Sequence, residues 1–341
     1  MAKRKSKPDT SPPQWLNGPQ AFREFATHKG GVQSARHIKP LHWYIASRLV
    51  LEGGFPPTDI TPRPPFRIEE KGPKSRRRFV LHYDPAAAQA GEQVVLGGLK
   101  TKNVDVVVNR HPVGPVLAVS CKGVTKAFRN LTNRMEETIG ECTNLHITYP
   151  AMVIGYFAVL RANRTIEDAL QAPDLDEEDT ATEVDTDEND EGAENEQEAP
   201  APKSIEKLKA NDIAILDDGN VVEGIRRFHA ALRDMTARRG IRDEISRYEA
   251  MTMALIDPHD GSAGNVISGF PPLDSPLLLQ SFFKTLYERY DERFVYGAPS
   301  LADRGFTTRL EWDAESPIFV RNSLEASSWP ILDFEARIAA S

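Results

Sequence analysis

The chain has only two cysteines, Cys121 and Cys142, in 341 residues. That excludes a disulfide framework and fits a reducing, cytoplasmic setting. No apolar run approaches the ~18–20 residues of a membrane helix. The basic start MAKRKSKPDTSPP has no apolar stretch behind it, so it does not read as a secretory signal. With 25 prolines and 22 glycines, the chain is neither collagen-like nor wholly disordered. It contains no Walker loop, no GxGxxG turn and no GxSxG nucleophile elbow. What is present is a 40% hydrophobic composition, enough for a sizeable core.

The net charge of −8 conceals an asymmetry. Asp174–Glu198 holds fourteen carboxylates and no lysine or arginine; without them the rest of the chain would carry +6. Residues 1–150 have 23 Lys/Arg against 12 Asp/Glu. A basic half fits a polyanionic partner such as nucleic acid, or simply a basic soluble surface. Residues 173–203 are acidic, Pro-flanked and poor in apolar side chains. They read as a disordered insertion, a solvated linker in preference to the alternative of a protein-binding or DNA-mimicking segment.

Four segments follow from composition: a flexible basic N-terminus (1–20), a core (21–172), the acidic insertion (173–203) and an extension (204–341) that completes the same domain. Within the core, the spacing of Leu41, Tyr44, Ile45, Leu49 and Val50 predicts a helix starting after Pro40 and ended by Gly53-Gly54. Arg78–Tyr83 alternates like a strand, and Gln93–Leu96 reads as a short one. Asn103–Asn109 is dense in β-branched residues and predicts a strand. The turn RHPVGP joins it to Val116–Lys122 as a hairpin. Thr125–Thr143 reads as a helix, and Tyr149–Arg161 contains an apolar run suited to a central strand. A helix (Val221–Arg238), a strand (Ala250–Asp257) and a helix (Leu277–Phe294) follow. The class is α/β.

Two charges stand out on the hairpin. Asp105 interrupts an apolar strand, and Lys122 ends the next, with Ala118, Ser120 and Lys122 on one face. A charge in a buried strand is costly unless it is paired or binds a metal, so the two mark either a site or a salt bridge.

This arrangement resembles the PD-(D/E)xK nuclease superfamily, the restriction-endonuclease-like fold, over roughly residues 35–161. The usual signature is an Asp on one strand, Asp/Glu-x-Lys on the next, then a helix. Here Asp105 is followed by Ser120-Cys121-Lys122, with a serine in place of the expected carboxylate. A subgroup of restriction enzymes has Ser or Thr there and a glutamate on the following helix, about fourteen residues past the lysine. That count reaches Glu136. The resemblance implies an αβββαβ core with a mixed central sheet flanked by helices.

At ~100° per residue, Phe128, Leu131, Met135, Ile139 and Cys142 form one stripe expected to face the core. Glu136 lies on the flank of that stripe with Arg129, whereas Glu137 and Glu141 fall nearly opposite and read as surface charges. The resemblance then implies Mg²⁺ or Mn²⁺ on Asp105, Glu136 and the backbone carbonyl of Cys121. Lys122 would orient or deprotonate a water and offset phosphorane charge, with Ser120 just outside the metal's ligands. Glu52 and Glu137 are reserve carboxylates.

Arg76, Arg77 and Arg78, with Arg129, Lys100 and Lys102, are the expected phosphate contacts, the alternative being exposed positions with no partner. His37 and His42 flank Pro40 and read as packing or phosphate-contact residues. Cys142 and His146 sit four apart with no second ligand pair, which makes zinc improbable. Glu249 and Asp257 bracket a strand as structural ends. The leading expectation is therefore a metal-dependent endonuclease acting on DNA, or else on RNA, in restriction or another form of host defence. A palindrome-cutting enzyme would need a dimer. The alternatives are an inactive nuclease-fold nucleic-acid binder, and a scaffold acting through the acidic tract.

Overall fold

The structure is a computed structural model that describes residues 17–29, 37–73, 77–128, 131–172, 211–304, 311–313 and 332–336. Arg76, Arg129 and the acidic stretch 173–203 lie outside the described residues, together with the expectations placed on them.

Helix α1 (Gly18–Thr27) begins inside the segment expected to be mobile. The Asn17 side chain accepts from the Gln20 amide at 3.0 Å and caps its first turn. Ala21, Phe22, Phe25 and Ala26 recur at helical spacing and are buried. Helix α2 (Lys39–Leu51) has Pro40 in its first turn and is buried from Pro40 to Leu51, except at half-buried Trp43. The helix is buried on every side and lies under the sheet, its buried Arg48 held by Glu52.

The strands are β1 (Ile60–Thr61), β2 (Phe66–Lys71), β3 (Arg78–Tyr83), β4 (Gln93–Leu96), β5 (Thr101–Val104), β6 (Val106–Arg110), β7 (Gly114–Val124), β8 (Val153–Arg161) and β9 (Ala250–Ile256). Five of them form the central sheet in the order β1-β6-β7-β8-β9. The first two pairings are antiparallel and the last two parallel. Helices α3 (Leu131–Thr148) and α5 (Glu223–Asp234), with the short α4 (Ile166–Gln171) between them in the chain, come after β7; α3 and α5 cover one face, and α1, α2 and α6 (Leu279–Tyr290) cover the other. Residues alternate between the two layers: Val106, Val108, Val119 and Phe157 face α2 and α6, while Val107, Ala118, Tyr156 and Ala158 face α3. Strand β8 is buried along its whole length, as its apolar run requires. Gly155 lets α6 approach closely, since a Cβ there would stand 2.8 Å from the Phe282 ring.

This mixed sheet flanked by helices is broadly consistent with a restriction-endonuclease-like core. Strand β9, from the C-terminal extension, pairs with β8 in the same sheet. Two expectations are corrected. Arg78–Tyr83 is outside the central sheet; it pairs with Phe66–Lys71 in a separate hairpin, and the two-residue β1 takes the edge beside β6. Asn103–Asn109 is not one strand. It breaks at Asp105, with β5 pairing β4 and β6 entering the central sheet. Among the described residues, no helix is long and apolar enough to cross a membrane.

Candidate metal centre

The break at Asp105 places its carboxylate where three elements meet. Oδ2 accepts a hydrogen bond from the Cys121 amide of β7 at 2.7 Å. Oδ1 lies 3.6 Å from Nε2 of His42 on α2. The contact with Cys121 thus runs through the backbone amide rather than the carbonyl expected to bind metal. Gln93 of β4 pairs with Val104 of β5, so Glu92 and Asp105 are the next residues at the base of the same hairpin. His42, Glu92 and Asp105 each bring one ligand atom to within 4.8 Å of the others. His42 is buried, Asp105 half-buried and Glu92 exposed, which leaves the cluster open on one side.

The electrostatics suit a cation. Burial dominates at His42 and lowers its pKa to about 4; Glu92 opposes this, while Lys122 and Lys39 reinforce it. The ring is therefore neutral at pH 7, and the 3.6 Å contact with Asp105 is not an ion pair. Nε2 is buried and has no hydrogen-bond partner among the described residues. An orphaned imidazole nitrogen aimed at two carboxylates matches a ligand set for a divalent ion. Burial also pushes the Asp105 carboxyl above its ordinary range, against Lys122 and the Cys121 amide. A bound cation would reverse that shift.

Lys122 stands beside this cluster. Its Nζ is 3.6 Å from Glu137 Oε1. Burial works against its charge, but Glu141, Glu137 and Asp105 hold its pKa above the ordinary lysine value. It is an ammonium at neutral pH, which favours charge compensation over the deprotonation of water. Lys102 Nζ lies 3.7 Å from Glu137 and 3.8 Å from Glu141. Ser120 hydrogen-bonds the Glu141 carboxylate, which is buried and raised in pKa by that burial.

The expected orientation of α3 is corrected here. Leu131, Thr138, Glu141, Cys142, Asn144, Leu145 and His146 are buried, while Ile139 is 40% exposed. The inward stripe is rotated by roughly 60° from the apolar one. The reason is that the inward polar groups have partners on other elements: Thr138 hydrogen-bonds the Tyr156 side chain of β8, Asn144 binds the β4–β5 hairpin and His146 Nδ1 meets Ile245 O. Glu141, expected at the surface, is inside, and Glu137 reaches Lys122. Glu136 is exposed, roughly 140° around the helix from Glu141, whereas the carboxylates that act on Lys122 are Glu141, Glu137 and Asp105. Glu136→Ala is expected to change Mn²⁺ affinity less than twofold, about 0.4 kcal/mol. Titration calorimetry checks this, and a tenfold loss would return Glu136 to the site.

The other expected positions fall as follows. Glu52 is held by Arg48 at 2.6 Å and by the Tyr287 hydroxyl at 3.0 Å, in a structural network. Arg77 pairs with Glu70 at 3.2 Å and Arg78 with Asp313 at 2.6 Å. Lys100 is exposed on the β4–β5 turn. His42 was legible only as a packing or phosphate-contact residue, and Glu92 had no signal at all, because neither lies in a spaced motif with Asp105. Comparison with protein-family models, with curated proteins and with solved structures finds no match to this chain.

Proposed function

We propose that the protein is a divalent-metal-dependent nuclease that hydrolyses phosphodiester bonds, with DNA as its substrate. The observation that carries this reading is the meeting of the His42, Glu92 and Asp105 ligand atoms within 4.8 Å, with the Lys122 ammonium held at Asp105's side. His42 offers a neutral nitrogen; Asp105 and Glu92 offer carboxylates. A divalent ion bound there would polarise a phosphate and supply a water of lowered pKa. Lys122, kept protonated by Glu137 and Glu141, offsets negative charge on the phosphorane. Ser120 positions Glu141, and so acts on Lys122 indirectly. The excess of Lys/Arg in residues 1–150 supports a polyanionic substrate.

The test is incubation of the purified chain with plasmid, phage DNA and RNA, with Mn²⁺, Mg²⁺ or EDTA. Metal-dependent cleavage of DNA that EDTA stops is the expected result. Metal-independent retention of DNA without cleavage would replace the reading with a non-cutting nucleic-acid binder. RNA cleavage alone would move the substrate class.

The imidazole ligand also sets a metal preference. Mg²⁺ favours all-oxygen sites, whereas Mn²⁺ accepts a nitrogen ligand. Mn²⁺ is expected to bind about tenfold more tightly than Mg²⁺, ~1.4 kcal/mol, and His42→Ala to remove most of that difference. Competition titration measures both; equal affinities in the native protein would exclude His42 as a ligand.

A further inference from the structure

The β4–β5 hairpin is a two-stranded sheet that pairs with no other strand among the described residues. Such a ribbon is marginal in water unless something docks it. Yet its base carries both carboxylates of the metal cluster, Glu92 before β4 and Asp105 after β5. Asp105 has a second tie through Cys121. At the base, Gln93 Oε1 also accepts from Asn109 Nδ2 at 2.5 Å. Glu92 is exposed, and its place depends on β4 staying where it is.

The tip of the hairpin is fastened to α3 at one residue. Asn144 Oδ1 accepts from the amides of Leu99 (2.8 Å) and Lys100 (3.1 Å). Its Nδ2 donates to Lys100 O at 2.8 Å, and its backbone carbonyl accepts from Gly98 N at 2.8 Å. Asn144 is 3% exposed. The turn is shaped to this contact: a Cβ on Gly97 would stand 2.1 Å from Asn144 Nδ2, and one on Gly98 2.1 Å from Ile147 Cγ2. Lys102 adds a weaker tie along β5 to Glu137 and Glu141.

We propose that Asn144 is a positioning residue for the metal centre, acting through the hairpin whose tip it clamps to α3. It touches neither metal nor substrate. It fixes the ribbon so that Glu92 stands across from Asp105 and His42, and it ties that geometry to the helix whose Glu137 and Glu141 set the charge on Lys122. The inference rests on the metal-site reading above.

The test uses the full chain, with two readouts: Mn²⁺ affinity by titration and hydrogen exchange at the Leu99 and Lys100 amides. Asn144→Ala is expected to deprotect both amides and to weaken Mn²⁺ binding about tenfold, the scale of losing a ligand-supporting contact. Asn144→Asp keeps the acceptor for both amides and should recover part of the affinity, which a purely structural loss would not track. Gly97→Ala wedges the turn away without altering α3 and should reproduce the Asn144→Ala pattern, so a folding failure of the first variant does not remove the test. Deprotected amides with native Mn²⁺ affinity would overturn the inference, as would amides that stay protected. Native protein that binds no Mn²⁺ would instead remove the metal centre itself, and this role with it. That outcome is distinct, because it appears before any variant is made.

Discussion

Asp105→Asn is expected to abolish metal-dependent cleavage while leaving the fold intact. The asparagine can still accept from the Cys121 amide, the 2.7 Å bond that seats the native side chain against β7. Two things are lost. The buried ligand charge disappears, and the new amide N–H faces His42 Nε2, whose lone pair is otherwise free and 3.6 Å away. Capping that lone pair removes a second ligand along with the first. A fall in rate of about a thousandfold is expected, ~4 kcal/mol of barrier at 1.36 kcal/mol per decade.

The stability of the same variant runs in the opposite direction. Burial raises the folded-state pKa of Asp105 above its ordinary value, so ionising the carboxylate costs the native state more than the unfolded one. The cost begins once pH passes the ordinary aspartate value and is complete only above the raised folded value. Metal-free Asp105→Asn should therefore unfold at no lower temperature than the native protein. Scanning calorimetry with EDTA, alongside cleavage with Mn²⁺, gives both numbers. A variant that cuts DNA at the native rate would refute the site.

The second large effect concerns stability alone. Glu249 is fully buried, as are Arg238 at 1% and Arg293 at 8% exposure. Glu249 Oε1 accepts from Arg238 Nη1 at 2.7 Å and Arg293 Nη2 at 2.6 Å, and Oε2 accepts from the Ile154 amide at 2.7 Å. His146 of α3 adds a contact at 3.5 Å. The carboxylate thus joins the start of β8, the start of β9, the end of α3 and the turn after α6. Glu249→Ala leaves two guanidinium groups buried without a counter-charge, and about 3–5 kcal/mol of folding stability should be lost. Denaturant unfolding measures it; a loss under ~1 kcal/mol would show that the backbone carbonyls around Arg238 and Arg293 suffice.

The pH dependence follows from the same network. Burial alone would raise the pKa of Glu249, but His146, Arg293 and the Ile154 amide more than offset it and hold the pKa below the ordinary glutamate value. Its contribution is therefore complete above the ordinary glutamate range and is lost as pH falls through the lowered folded value.

Much of the fold was legible in the chain. The hairpin after Asp105, the apolar run of β8 and the later strand β9 carry strong local patterns, and each forms. The interruption at Asp105 and the lysine at 122 were legible as misplaced charges, and the structure puts both in one cluster of titratable groups. The helix carboxylates were not legible. The apolar stripe of α3 points to one orientation, while Thr138, Glu141, Asn144 and His146 are drawn inward by hydrogen bonds to distant elements. A hydrophobic periodicity takes no account of polar groups that have partners.

Composition and pattern thus determined the α/β class, the central strands and the place of Asp105, because burial of β-branched runs and the cost of a lone charge are local properties. Tertiary structure alone decided that His42 and Glu92, 63 and 13 residues before Asp105, bring ligand atoms to within 4.8 Å of its carboxylate. It also decided that Glu137 and Glu141 face Lys122 while Glu136 faces solvent. The reason is geometric: convergence of side chains from α2, the β4–β5 hairpin, β7 and α3 depends on how the layers pack, and no spacing along the chain encodes that angle.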